Sequence, residues 1–145
     1  MELSITNEVN PDEKSYVVNQ LIRFNSKHFP DEWKEKYEAI HLLLKDKEQK
    51  LYGGLTGAVC LNWLEVKYLF VDDAVRKKGY GKKLLAAAEQ IARDRKCEFM
   101  KLDTLSFQAL DFYLQQGYEV YGTLPNAGGH THYYLKKDLV PVKLT

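Results

Sequence analysis

The chain has 145 residues, 45% of them hydrophobic and 28% charged, with a formal net charge of +1. That length fits one domain with room for a real core, and the composition argues against disorder. A dedicated nucleic-acid binder would carry a strong basic excess, which the balanced charge does not supply.

In chain order, Asn10-Pro11-Asp12-Glu13 opens a helix. Asn suits the N-cap, Pro the first helical position, and acids the positive end of the helix dipole. Val17, Val18, Leu21 and Ile22 follow at helical spacing. Pro30-Asp31-Glu32 reads as a second start, of a short helix through Trp33, Tyr37 and Ile40. Residues 41–45, 51–61 and Trp63–Val71 then read as three strands joined by short polar links, an antiparallel meander. Residues 79–95 form a helix with Leu84, Leu85, Ala88, Ile91 and Ala92 as its apolar stripe. A strand over 98–103, a helix over 106–116 stopped by Gly117, and strands over 118–123 and 131–137 complete the order. The expected fold class is therefore α/β with both antiparallel and parallel pairing.

Cys60 and Cys97 are too few for a disulfide framework and lack metal-ligand spacing, so they read as reduced, buried and apolar in character. No apolar run reaches membrane-spanning length and residues 1–10 lack a secretory signal pattern, so the expected location is the cytoplasm, with no membrane partner. His130 and His132 alternate along one strand and share a face, but no third ligand accompanies them and no metal is expected.

The most informative stretch runs from Val71 through Arg76, Lys77, Lys78, Gly79, Tyr80 and Gly81 to Lys82. It joins a strand to a strong helix. Paired glycines let the backbone come close to a ligand, the first N–H groups of the helix lack partners, and the dipole favours negative charge there. A phosphate or pyrophosphate site is expected. The Walker pattern fails because Lys83 follows Gly81-Lys82, and the dinucleotide fingerprint fails because Leu84 stands at its third glycine.

Arg76-Lys77-Lys78-Gly79-Tyr80-Gly81 resembles the acetyl-CoA-binding motif Arg/Gln-x-x-Gly-x-Gly/Ala of the GNAT acetyltransferases. The segment from Ser106 through Ala109, Phe112 and Tyr113 to Gly117-Tyr118 is similar to that family's Asn-x-x-Ala-x-x-Phe-Tyr-x-x-x-Gly-Phe helix. The resemblance implies one domain over residues 1–145, with a mixed sheet of six to seven strands and about four helices, splayed between the fourth and fifth strands. The walls of the splay would be Trp63–Val71 and residues 98–103. It implies acetyl-CoA as co-substrate, its pyrophosphate on N–H groups from Lys77 to Lys82 and its pantetheine arm alongside Leu69 and Val71. Ser106 in place of Asn puts one hydrogen bond to the cofactor in question. The implied reaction is direct acetyl transfer to a primary amine, on a small molecule. A peptide amine, a non-catalytic acyl-CoA-binding module and a nucleotide-phosphate binder remain as rival readings, and a homodimer stays open.

Acetyl transfer needs a deprotonated amine, a stabilised oxyanion and a proton for the leaving thiolate. By the resemblance, Tyr113 supplies that proton, and a backbone N–H near Leu69 or Phe70 would meet the oxyanion. Glu65 is the candidate base. A carboxylate in mid-strand needs a wet or functional face, and regular alternation sets Glu65 beside Trp63, Lys67 and Leu69. It also stands eleven residues before Arg76, where some members of the family carry a base. Phe24, Asn25, Trp33 and His130 are weaker candidates for the acceptor side, with packing, capping or plain surface as the competing readings.

Overall fold

The computed structural model describes residues 1–34 and 36–140. The chain forms two compact units, residues 1–35 and residues 36–145. In the first, α1 (Pro11–Ser26) starts as its sequence predicts: the Asn10 side chain accepts from the Glu13 N–H at 3.1 Å and donates to the Glu13 carboxylate at 2.6 Å. The expected second helix does not form. Residues 31–34 make a single turn, closed by Trp33 N–H to the Pro30 carbonyl and by a Lys34–Asp31 ion pair of 2.9 Å. Tyr37 and Ile40 belong instead to the first strand. The start signals at Pro30 are local, whereas Ile40 gains burial to 5% exposure by pairing in a sheet; tertiary pairing outweighs helix propensity here.

The second unit contains β1 (Tyr37–Lys45), β2 (Leu51–Cys60), β3 (Trp63–Val71), a 3₁₀ turn (Asp73–Val75), α2 (Tyr80–Asp94), β4 (Phe99–Leu105), α3 (Leu110–Gln115), β5 (Glu119–Ala127) and β6 (His130–Asp138). The described elements are thus six strands and three α-helices, one helix fewer than expected. The last hairpin also differs: β5 runs on through Pro125 and Asn126, leaving only Gly128-Gly129 as the turn. The strand order is β1-β2-β3-β4-β6-β5. Every neighbouring pair is antiparallel except β3–β4, whose parallel crossover is α2. The fold class is α/β with a mixed sheet.

Residues paired across strands share a face, so the register locates the core. Gly57↔Val66 and Val59↔Leu64 lie on the buried side, and so do Gly53↔Val71 and Leu55↔Leu69. Two residues, Lys67 and Tyr68, stand between Val66 and Leu69, so β3 carries a bulge opposite the Thr56–Gly57 step. The bulge reverses the alternation: Leu69 and Val71 pack towards the core, while Glu65 shares the other face with Trp63, Tyr68 and Phe70. The expected grouping of Glu65 with Leu69 is therefore wrong.

On the core side, α2 packs Leu84, Leu85, Ala88 and Ala92 against Leu55, Leu64, Met100 and Leu135. Ala88 and Ala92 are wholly buried, and their small side chains let the helix lie close to the strands. Each fully buried Leu contributes about 1.5–3 kcal/mol relative to exposure.

The sheet opens at its centre. β3 and β4 pair only from Trp63↔Phe99 to Glu65↔Lys101 and then diverge. With six strands present, the splay lies between the third and fourth strands, and its walls are those expected. Beyond Glu65, the β3 edge has no strand beside it, so its N–H and C=O groups are open to a ligand that pairs like a strand.

Candidate functional site

A cavity of about 660 Å³ opens where β3 and β4 part. Its lining brings together Leu69, Phe70, Val71, Arg76, Lys77, Gly79, Tyr80, Gly81, Lys82, Ala109, Phe112 and Tyr113. Val75, Phe107 and Gln108 join them, residues that sequence reasoning missed. Gln108 had a signal in hindsight, a polar side chain just after a strand end. Its amide oxygen accepts from the Leu105 N–H at 2.7 Å and so shapes the turn into α3. Lys78 and Ser106 are not in this lining.

The floor is the N-terminus of α2. Its cap is Gly79 at φ 82, with no side-chain hydrogen bond. The contrast with α1 is chemical. The first turn of α1 carries acids and a side-chain cap, whereas α2 starts with Lys82 and Lys83 and no acid. Cations at the positive end of a helix dipole cost about 0.3–1 kcal/mol each unless an anion sits among them, and the free N–H groups point the same way. A Cβ on Gly79 would meet nothing within 4 Å, and the atoms nearest one on Gly81 would be Phe112 ring carbons at 3.6 and 3.8 Å and a Val71 methyl at 4.0 Å. Neither glycine is demanded by packing against the protein.

Arg76 lines the cavity with its side chain engaged by the protein. Its Nε donates to the Val71 carbonyl at 2.8 Å and its guanidinium pairs with Asp73 at 2.7 Å. It staples the end of β3 to the 3₁₀ turn and lends the cavity charge rather than a free side chain. Asp72 caps that turn by accepting from the Ala74 N–H at 2.8 Å.

The far wall is α3, which is shorter than expected. It begins at Leu110, and residues 106–109 form the turn before it. Ser106 is exposed and its hydroxyl accepts from the Thr131 N–H at 3.3 Å, so it ties this turn to β6. Tyr113 is 7% exposed, edge-on to Phe112 and Tyr118, and its ring lines the cavity. Burial, with a smaller push from the Asp103 charge, raises its pKa to about 12. A hydroxyl so placed stays protonated at neutral pH, the form that a proton donor needs.

Glu65 is outside the cavity lining. It is half-buried on the last paired rung before the strands part, between Ala58 and Lys101, on the opposite face of the sheet from the core. It is close enough to Cys60 to help raise that thiol's pKa, the larger cause being burial. Cys60 is half-buried on this same face, not fully buried as expected, while Cys97 is buried; both thiols are free. His130 stacks edge-on with Phe107 at 4.6 Å, which puts it at the rim. Phe24, Asn25 and Trp33 belong to the first unit. There the Phe24 ring lies 4.8 Å below the Lys27 ammonium, and the Asn25 carbonyl accepts from the His28 N–H.

Among the described residues no group of three or more His, Cys, Asp or Glu could hold a metal ion, and no helix is long and apolar enough to cross a membrane. The arrangement offers an anion seat, an unpaired strand edge and a largely buried tyrosine around one opening, with a carboxylate on the other side of the same fork.

Residues 8–118 match the family described as acetyltransferase (GNAT) family. Acetyltransferase Atu2258 of Agrobacterium fabrum is 29% identical over 138 residues, covering 94% of this chain and 98% of its own. Blasticidin-S acetyltransferase of Streptomyces morookaense is 39% identical over 92 residues, 62% of this chain and 68% of that one. The crystal structure of an acetyltransferase from Bacillus cereus superposes with a TM-score of 0.85 at 35% identity, covering 94% of this chain and 98% of that chain.

Proposed function

The chain belongs to the GNAT acetyltransferase family, and on that premise we propose that it transfers acetyl from acetyl-CoA to a primary amine of a small molecule, as one domain in the cytoplasm. The observation that carries this reading is the convergence of the uncapped, lysine-flanked start of α2 and of Tyr113 on one cavity at the splay. The small-molecule acceptor is supported by the blasticidin-S acetyltransferase relative.

The residues have definite work in this reaction. N–H groups at the start of α2 hold the pyrophosphate, and Lys77 and Lys82 add charge. The free edge of β3 beyond Glu65 pairs with the pantetheine arm, and a backbone N–H near Leu69 or Phe70 stabilises the oxyanion. Glu65, at the fork, takes the proton from the amine directly or through one water. Tyr113 gives its proton to the departing thiolate. Incubation with acetyl-CoA and a panel of polyamines, aminoglycosides and amino acids tests the reading, by free thiol release and by mass of the product. Acetyl-CoA binding without transfer to any amine would make the chain a binding module instead.

Two expected results test parts of the site. Gly81→Val should weaken coenzyme A binding about tenfold or more, the loss of one charge-assisted hydrogen bond; its Cβ meets Phe112 and Val71 at ordinary contact distances, and circular dichroism checks that the variant is folded. Gly79→Val should do the same with added backbone strain, since φ is 82 there. Calorimetry on folded variants reads both, and unchanged affinity would remove the turn from the site. Glu65→Gln should lower turnover most at low pH, where free amine is scarce, and leave cofactor affinity as it was. A pH–rate profile that overlays the parent's would assign deprotonation to water.

A further inference from the structure

We propose that Asp103, held by His132, docks a second cationic group of the acceptor, so that the enzyme prefers di- and polyamines over monoamines; this rests on the acetyltransferase reading above. Asp103 lies on β4 two residues past Lys101, the partner of Glu65 on the last rung before the fork. Leu102 and Leu135 pair on the core side, so Asp103 and its partner Tyr134 face the other way, on the side of Glu65. At about 3.3 Å per residue, Asp103 stands roughly 7 Å further along the rim than the Glu65 rung. That separation suits two nitrogens of one short diamine, one at each carboxylate.

The carboxylate is positioned by an array that crosses from β4 to β6. His132 Nε2 lies 3.4 Å from Asp103 Oδ1, and the Tyr134 hydroxyl lies 3.2 Å from His132 Nδ1. With the hydroxyl donating to Nδ1, the ring proton sits on Nε2, the nitrogen nearest the carboxylate. The contact with His132 uses Oδ1, and the Asp103 side chain is 52% exposed, so it keeps acceptor sites for a ligand. The lysine nearest along its strand does not neutralise it: the Lys101 ammonium lies over the Trp63 ring at 5.8 Å. Tyr121 and Tyr134, with ring centroids 6.4 Å apart, offer aromatic faces that attract an ammonium. The Asp103 charge is also felt at the Tyr113 hydroxyl, which it helps to keep protonated.

The test compares cadaverine with n-pentylamine, amines of equal chain length, for the parent, D103N, D103E and H132Q. The parent should favour cadaverine in kcat/KM. D103N should lose about tenfold more on cadaverine than on pentylamine, chiefly through KM, as expected for a lost charge-assisted contact. D103E should restore most of the preference, and H132Q should fall between. Calorimetric affinity for acetyl-CoA checks that each variant is folded. An unchanged cadaverine-to-pentylamine ratio in D103N, or equal losses on both amines, would overturn the inference and leave acetyl transfer standing. A parent that acetylates other amines of the panel but shows no preference for the diamine would overturn it too. A parent that binds acetyl-CoA and acetylates nothing would instead overturn the function on which it rests.

Discussion

Tyr113→Phe is expected to slow single-turnover acetyl transfer by about 10²–10⁴-fold, the usual contribution of a positioned general acid. The ring contacts with Phe112 and Tyr118 stay, so thermal stability and acetyl-CoA affinity should hardly move. The effect is specific to the proton. Burial pushes the Tyr113 pKa up to about 12, so the hydroxyl remains protonated across neutral and mildly alkaline pH. Ionisation of Tyr113 should therefore not shape the activity profile below that range. The full loss appears when thiolate departure is limiting; where amine attack limits, the loss is smaller. A Phe variant as fast as the parent, with the chemical step shown to be limiting, would return Tyr113 to the core.

The second large effect concerns stability. A Cβ on Gly57 would meet the carbonyl oxygen and carbon of Glu65 and the Val66 Cα, all backbone atoms of the paired strand. Backbone in a sheet cannot rotate away as a side chain can. Gly57→Val should therefore force β2 and β3 apart beside the bulge and cost about 3 kcal/mol or more, a drop in Tm of about 10 °C. It should also displace Glu65 and lower activity in whatever fraction stays folded. Thermal unfolding followed by circular dichroism reads the first effect. A variant within about 2 °C of the parent would show that the sheet yields there at little cost.

Much of the candidate site is legible in the sequence because its signals are local. The glycine turn before α2 and the tyrosine motif of α3 are runs of adjacent residues, and the fold brings both to one cavity. The strand Trp63–Val71 was bounded correctly because its apolar run ends against polar turns. What escaped depends on partners distant in sequence. Pro30-Asp31-Glu32 has the marks of a helix start, yet Tyr37 and Ile40 pair with Cys60 and Gly57. The bulge in β3 carries no glycine or proline to announce it. It shows only in the partners that β2 chooses. His132 and Asp103 are brought together by the β4–β6 pairing, which no run of residues encodes.

That bulge shapes how the gene for this chain can drift. Substitution at Lys67 alters an exposed side chain, and its deletion would leave Val66, Tyr68, Leu69, Phe70 and Val71 in regular alternation, with Leu69 and Val71 still on the core face. What the deletion would take away is the bend that a bulge gives a strand, here just beyond the last rung shared with β4. β3 can therefore spare this letter without scrambling its two faces, and the parting of the sheet is what a shorter word would alter.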